Sequence, residues 1–227
     1  MTSATVPIRV LIVDDHPIVR HGLAQLLGQE ADISICGEAA DARAALDAMV
    51  HAAPDVLIVD ISLGGASGLD FIREAKTVSS RVAALVVSMH DELLFAERAI
   101  RAGALGYVMK HEATDVIARA VRAVATGATF VSEAVTTRIV RRVAKAGARG
   151  AASELEILSD RELNVLLLIG RGLGTRDIAE RLHVSMKTVE SYRARLKEKM
   201  NLRSGPELVR YAVRWADNFD GGGDPKE

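Results

Sequence analysis

Val10-Leu11-Ile12-Val13-Asp14-Asp15 sets four apolar residues directly before two carboxylates. A strand with one wet face would alternate. An unbroken apolar run bounded by polar residues reads instead as a strand covered on both sides, as in a parallel sheet between helices. The pattern recurs at 56–59 before Asp60, at 82–87 before Ser88 and at 105–109 before Lys110. Helix-length amphipathic stretches separate the runs, giving five strand-then-helix units: 8–13/16–29, 33–38/41–52, 55–59/67–77, 82–88/91–102 and 105–109/113–126. Residues 1–127 are therefore expected to form an α/β domain, a doubly wound five-stranded parallel sheet of (βα)5 form. Right-handed crossovers would bring the loops after strands one, three, four and five to a common edge, where open parallel sheets bind ligands. Asp14, Asp15, Asp60, Ser88 and Lys110 all stand on those loops.

Three carboxylates in one small space stay ionised together only around positive charge, and a hard divalent cation with oxygen ligands supplies it. Asp60 precedes a glycine-rich loop, Gly64, Gly65 and Gly68, where backbone can approach a ligand without interference from a Cβ. A carboxylate so placed can attack a phosphoryl group. Such a reaction needs a positioned nucleophile, a metal across the phosphoryl oxygens and a fixed cation against the developing charge. Asp60 is the candidate phosphoacceptor, Asp14 and Asp15 are candidate metal ligands, and Lys110 is the cation. Ser88 offers a hydroxyl to a phosphoryl oxygen, and Tyr107 is placed to change rotamer when Ser88 moves. Each residue alone has an ordinary explanation: a helix-capping pair, a solvated lysine, a loop hydroxyl. Their joint position at four strand ends is what points to a site. His16, beside Pro17, reads as a surface residue nearby.

Composition bounds the rest. With 49% hydrophobic residues over 227 positions the chain is globular. Residues 1–9 lack a basic start and an apolar signal core, so the expectation is a cytoplasmic protein with no membrane partner. The single Cys36 cannot form an internal disulfide and is expected to be core packing. Charge is divided: residues 1–127 hold 11 Lys+Arg against 16 Asp+Glu, whereas 155–216 hold 12 against 8. An acidic half suited to a cation is joined to a basic half suited to phosphates.

Residues 128–153 read as a partly helical linker, with a short basic helix over 132–146 and a flexible joint, Gly147-Ala148-Arg149-Gly150-Ala151-Ala152-Ser153. Residues 154–217 are helical in period and predict a small all-α four-helix domain. Ser159-Asp160-Arg161-Glu162 is a capping box, Ser204 and Glu207 suggest another, and 218–227 is expected to be a disordered tail. Helices two and three, joined by a short turn at His183-Val184, fit a helix-turn-helix over about 175–194, whose second helix would enter the major groove of double-stranded DNA. Thr175, Ser185, Lys187, Thr188, Val189, Glu190, Ser191, Tyr192, Arg193 and Arg195 are the expected DNA-binding set. Val189, Tyr192, Leu196 and Met200 also form the apolar stripe of that helix. The competing reading is a solvated charged face on an ordinary bundle.

Residues 8–126 resemble the receiver domain of bacterial two-component response regulators: the acidic pair, acceptor aspartate, hydroxyl residue, aromatic and lysine match in order and spacing. The resemblance implies that Asp60 takes a phosphoryl group from a sensor histidine kinase. It also implies that Asp15, Asp60 and the main-chain carbonyl of Ser62 bind Mg²⁺, with Asp14 acting mainly through water. Residues 158–215 resemble the LuxR-type helix-turn-helix domain through Leu158-Ser159-Asp160-Arg161-Glu162, Asp177-Ile178-Ala179 and Lys187-Thr188-Val189-Glu190, so the whole chain looks like a NarL/FixJ-type response regulator. That resemblance implies a transcription regulator that forms a homodimer when phosphorylated, with part of the fourth helix, Leu208 and Tyr211, pairing subunits. Three positions depart from the pattern. Gly64 and His111 stand where prolines are common, and Gly64 is expected to loosen its loop; Tyr192 replaces a common histidine. Two other classes stay open. One is a phosphorylation-independent DNA-binding protein that uses the receiver only to dimerise. The other is a Mg²⁺-dependent phosphate-ester hydrolase, which would need a carboxylate where Ser62 stands.

Overall fold

The apolar runs lie side by side in one sheet. The computed structural model describes residues 6–64, 66–146, 157–182 and 184–220; the expected joint at 147–153, Gly65, His183 and the stretch from Gly221 onward fall outside them. The chain divides into two compact units, 1–149 and 150–227.

In the first unit, β1 (Ile8–Val13), β2 (Ile33–Ala39), β3 (Val56–Val59), β6 (Ala83–Ser88) and β7 (Gly106–Met109) form a parallel sheet in the order β2-β1-β3-β6-β7. Two short strands, β4 (Ser62–Leu63) and β5 (Ala66–Ser67), make a separate antiparallel hairpin beyond β3. The helices are α1 (Pro17–Leu27), α2 (Ala42–Ala52), α3 (Gly68–Val78), α4 (Glu92–Ala102) and α5 (Thr114–Ala125). Strands β3 and β6 are buried along their length and β1 from Val10 onward, which is why their sequences do not alternate there. Val13 pairs with Val59 and Val59 with Val86, so the residues that follow them emerge at one edge. Cys36 is half-buried rather than core, because β2 is an edge strand; burial still pushes its thiol up, away from reactive thiolate.

The linker expectation is corrected in one respect. Helix α6 (Glu133–Ala146) is part of the first unit and packs on α4. Phe130 precedes it as an added rung beside β7: Tyr107 donates its N–H to the Phe130 carbonyl (2.9 Å) and Phe130 donates to Leu105 (2.9 Å). A Cβ on Gly106 would lie 2.9 Å from the Phe130 carbonyl oxygen, so glycine permits this close approach. Val135 is buried, and the Ser132 hydroxyl donates to Glu92 Oε1 (2.9 Å).

The second unit comprises α7 (Asp160–Gly170), α8 (Thr175–Arg181), α9 (Met186–Lys199) and α10 (Gly205–Asp220). The Ser159–Glu162 capping box is formed. At α10 only half the expected box is present: Ser204 Oγ accepts from Glu207 N, while the Glu207 carboxylate reaches Arg203 N. Helix α10 also extends through residues 218–220, where a disordered tail was expected. Leu208 is fully buried with Ala212 and Ala216, so it packs the bundle and is unavailable for subunit pairing. Among the described side chains of that helix, Val209 and Val213 are the exposed large apolar ones.

Buried Glu162 also binds Lys199 Nζ (2.7 Å), tying the start of α7 to the end of α9. Burial alone would raise its carboxyl, but Lys199 and the Ser159 groups hold it below the usual range. A depressed folded value stabilises above the unfolded carboxyl range, and the contribution is lost as pH falls through the folded value. Glu162→Gln is expected to cost about 2 kcal/mol at neutral pH. The difference from the parent should shrink below about pH 4, as read by urea melts across pH.

Candidate functional site

Asp60 follows β3 and is almost completely buried. Its two carboxylate oxygens have different partners: Oδ1 accepts the Ser88 hydroxyl (2.6 Å) and Oδ2 accepts Lys110 Nζ (2.7 Å). Lys110 also reaches Asp14 Oδ2 (2.6 Å), with only 7% of its side chain exposed. Burial disfavours the ammonium, but Asp60 and Asp14 outweigh it and raise its pKa. The backbone holds these groups in place: Lys110 N–H donates to the Ser88 carbonyl, and Asp60 N–H donates to Val13. A Cβ on Gly68 would lie 1.9 Å from the Asp60 carbonyl oxygen, so only glycine lets the start of α3 abut the Asp60 backbone.

Asp15 completes the acidic group. Its Oδ2 accepts the Gly64 N–H (2.8 Å), while its buried Oδ1 accepts no well-directed hydrogen bond although His16 Nδ1 lies 2.7 Å away. One ligand atom each from Asp14, Asp15, His16 and Asp60 lie within 4.8 Å of one another. Three carboxylates around one point suit a small hard cation. Gly64 adopts φ +54° in the β4–β5 turn and donates to Asp15, neither of which a proline could do.

Tyr107 is buried, and its hydroxyl donates to the His90 carbonyl (2.8 Å). Burial, followed by the Asp60 charge, raises its pKa well above the usual phenol, so it remains a donor. His90 was not singled out from sequence. Its Nε2 lies 2.9 Å from Ser62 Oγ, its N–H donates to Ser88 Oγ (3.4 Å), and its ring packs on Phe95.

In the second unit, α9 presents Ser185, Lys187, Glu190, Ser191 and Arg195 as exposed residues. Ser185, Lys187, Thr188, Ser191, Tyr192 and Arg195 line a shallow cleft. Ser185 is spent as the helix cap, accepting Thr188 N–H (3.1 Å) and sharing a hydrogen bond with the Thr188 hydroxyl (2.8 Å). Val189 is fully buried and leaves the DNA-facing set, because its position on the apolar stripe turns it into the bundle. Arg193 is mostly covered, with 19% of its side chain exposed, and Thr175 donates its hydroxyl to Glu190 Oε1 (2.8 Å).

Residues 10–122 match the response regulator receiver domain, and residues 156–212 match the luxR family of bacterial regulatory proteins. The oxygen regulatory protein NreC of Staphylococcus carnosus (strain TM300) is 37% identical over 212 residues, covering 91% of this chain and 97% of that protein. The chain belongs to the NarL-family response regulators. The RcsB response regulator of Salmonella typhimurium is similar over 91% of this regulator and 98% of RcsB, with 26% identity and a TM-score of 0.54. A solved RcsB–DNA complex matches over the same shares with 25% identity and a TM-score of 0.55. The regulator is thus a two-component protein that acts on DNA. Among its described residues no helix is long and apolar enough to cross a membrane.

His16, expected at the surface near the site, lies beside Asp14 and Asp15 with 42% of its side chain exposed, and His90 is the site residue that sequence reasoning missed. His16 carried a signal, its adjacency to Asp15. His90 carried none, because its partners lie 28 and 17 residues away in the chain.

Proposed function

We propose that this response regulator accepts a phosphoryl group on Asp60 from a sensor histidine kinase in the cytoplasm and, so modified, binds operator DNA as a homodimer. The observation that carries this reading is Asp60 itself: a buried carboxylate oriented by Ser88 and Lys110 and flanked by Asp14 and Asp15. An Asp60 oxygen attacks phosphorus as the bond to the kinase imidazole breaks, and Lys110 offsets charge on the phosphoryl oxygens. Mg²⁺ held by Asp14, Asp15, Asp60 and the Ser62 carbonyl would supply further neutralisation there. The chain's own chemistry is confined to gaining and losing that group.

The signal has a short route. The Ser88 hydroxyl, now on Asp60, is drawn to a phosphoryl oxygen, which disturbs its contact with His90 N–H and hence the His90 carbonyl that receives Tyr107. Tyr107 N–H is bonded to Phe130, the start of the segment that leads through α6 towards the DNA-binding unit. Switches of this kind bias two arrangements of packed elements. The known RcsB–DNA complex supports duplex DNA as the ligand of α9. Pairing is assigned to the outer face of α10 with Val209 and Val213 in place of Leu208, and with half-buried Tyr211 retained.

The test measures operator affinity of the full chain with and without beryllofluoride and Mg²⁺. Affinity should rise on treatment; an unchanged affinity supports the phosphorylation-independent reading. Lys187→Ala is expected to weaken binding to all sequences about equally and to lower the salt slope by about one if Lys187 meets a phosphate. Titrations at several salt concentrations check it.

A further inference from the structure

We propose that Glu190 is a specificity-determining residue that accepts a hydrogen bond from a cytosine N4 amino group in the major groove. The inference rests on the reading of α9 as the groove-entering helix. Glu190 is the only carboxylate in the N-terminal half of α9, its side chain is 60% exposed, and it shares the outer face with Lys187 and Ser191. A carboxylate on a surface that meets a polyanion is repelled by every phosphate, so it weakens binding unless it finds a donor on the duplex. The major-groove edges offer only two, cytosine N4 and adenine N6. Adenine places the N7 acceptor beside its amino group, and guanine and thymine present acceptors, all of which repel a carboxylate; cytosine presents the donor alone.

The local geometry holds the group ready. Thr175, the first residue of α8, donates its hydroxyl to Glu190 Oε1 (2.8 Å), whereas Arg193 Nε is no nearer than 4.0 Å. Glu190 is therefore tied across the helix-turn-helix by one oxygen while the carboxylate stays exposed. Fixing a long side chain before binding reduces the rotamer entropy lost at the interface. Thr175 is accordingly a positioning residue rather than a DNA contact. The same bond would serve equally if Glu190 were only a brace between the helices, and that is the reading the experiment must separate.

The full chain, treated with beryllofluoride and Mg²⁺, is used to select from a pool of random duplexes. The parent should enrich cytosine at one fixed position of each half-site. Glu190→Ala should lose that preference by about tenfold or more while the other positions persist. Glu190→Gln keeps an acceptor for Thr175 and should move the preference to adenine, whose N6 and N7 match an amide. Thr175→Val should blunt the cytosine preference without moving it. If both Glu190 variants retain the parent pattern at every position, or lose affinity uniformly across sequences, Glu190 is a brace and the inference is overturned while DNA recognition by α9 stands. Failure of the parent to enrich any sequence would instead remove the reading of α9 itself.

Discussion

Asp60→Asn is expected to take up no phosphoryl label from a kinase or a small-molecule donor, against up to one group per chain for the parent. The carboxamide has no anionic oxygen to attack phosphorus, yet it keeps the size of the side chain and an acceptor for Ser88 or Lys110. The fold should therefore survive, and melting curves should separate loss of chemistry from loss of structure. Asp14 and Asp15 stay in place beside the substituted residue, but neither is held by both Ser88 and Lys110 as Asp60 is. The variant should also lose any gain in DNA affinity on phosphorylation. Label at unchanged stoichiometry would mean that another residue is the acceptor.

Lys110→Met should have the second-largest effect, and on two quantities. The parent ammonium lies between Asp14 and Asp60, 2.6 and 2.7 Å from one oxygen of each. Removing it leaves two buried carboxylates facing each other, a loss of about 3 kcal/mol or more. The melting temperature should fall on the order of 10 °C. Phosphoryl uptake should fall too, because the cation that offsets charge in the transition state is gone. Mg²⁺ should restore part of the stability and raise the variant's melting temperature more than the parent's, since the carboxylates then have only the metal to neutralise them. The pH dependence has a definite sign. Lys110 has a raised folded pKa, so its contribution is complete below the unfolded lysine range, about 10.4, and is lost as pH rises through the folded value. The gap between parent and variant should be flat from neutrality to about pH 9 and close in stronger alkali. On the acid side the gap should narrow as well, because protonating one of the two facing carboxylates relieves the variant; a gap that already closes between neutrality and about pH 9 would assign the stability to another pair.

The sheet was legible because its central strands are buried on both faces: an apolar run such as Val10–Val13 reads as a strand covered on both sides, and its polar terminus marks the ligand edge. The hairpin of Ser62–Leu63 and Ala66–Ser67 was not, since two-residue strands leave no period to read. Periodicity predicted the helix beginning near Glu133 but not the surface that receives it, because α6 meets α4 only in three dimensions. Val189 was assigned both to an apolar stripe and to the DNA-binding set, and Leu208 to subunit pairing; burial resolves each to the core. Asp60, the acidic pair, Ser88 and Lys110 could be grouped because each ends a strand, and the structure brings them together. His90 follows Ser88 by two residues on a loop, where side-chain type alone says nothing about contacts with Ser62 or Tyr107.

Helix α6 lies over α4, with Val135 buried and Ser132 bonded to Glu92. That flank of the receiver is thus occupied from within the same polypeptide. A second receiver seeking it would have to compete with a tethered ligand already present at high effective concentration. Receiver association through that flank therefore requires the segment to peel away first, which would link subunit exchange to the freedom of the chain leading to the DNA-binding unit.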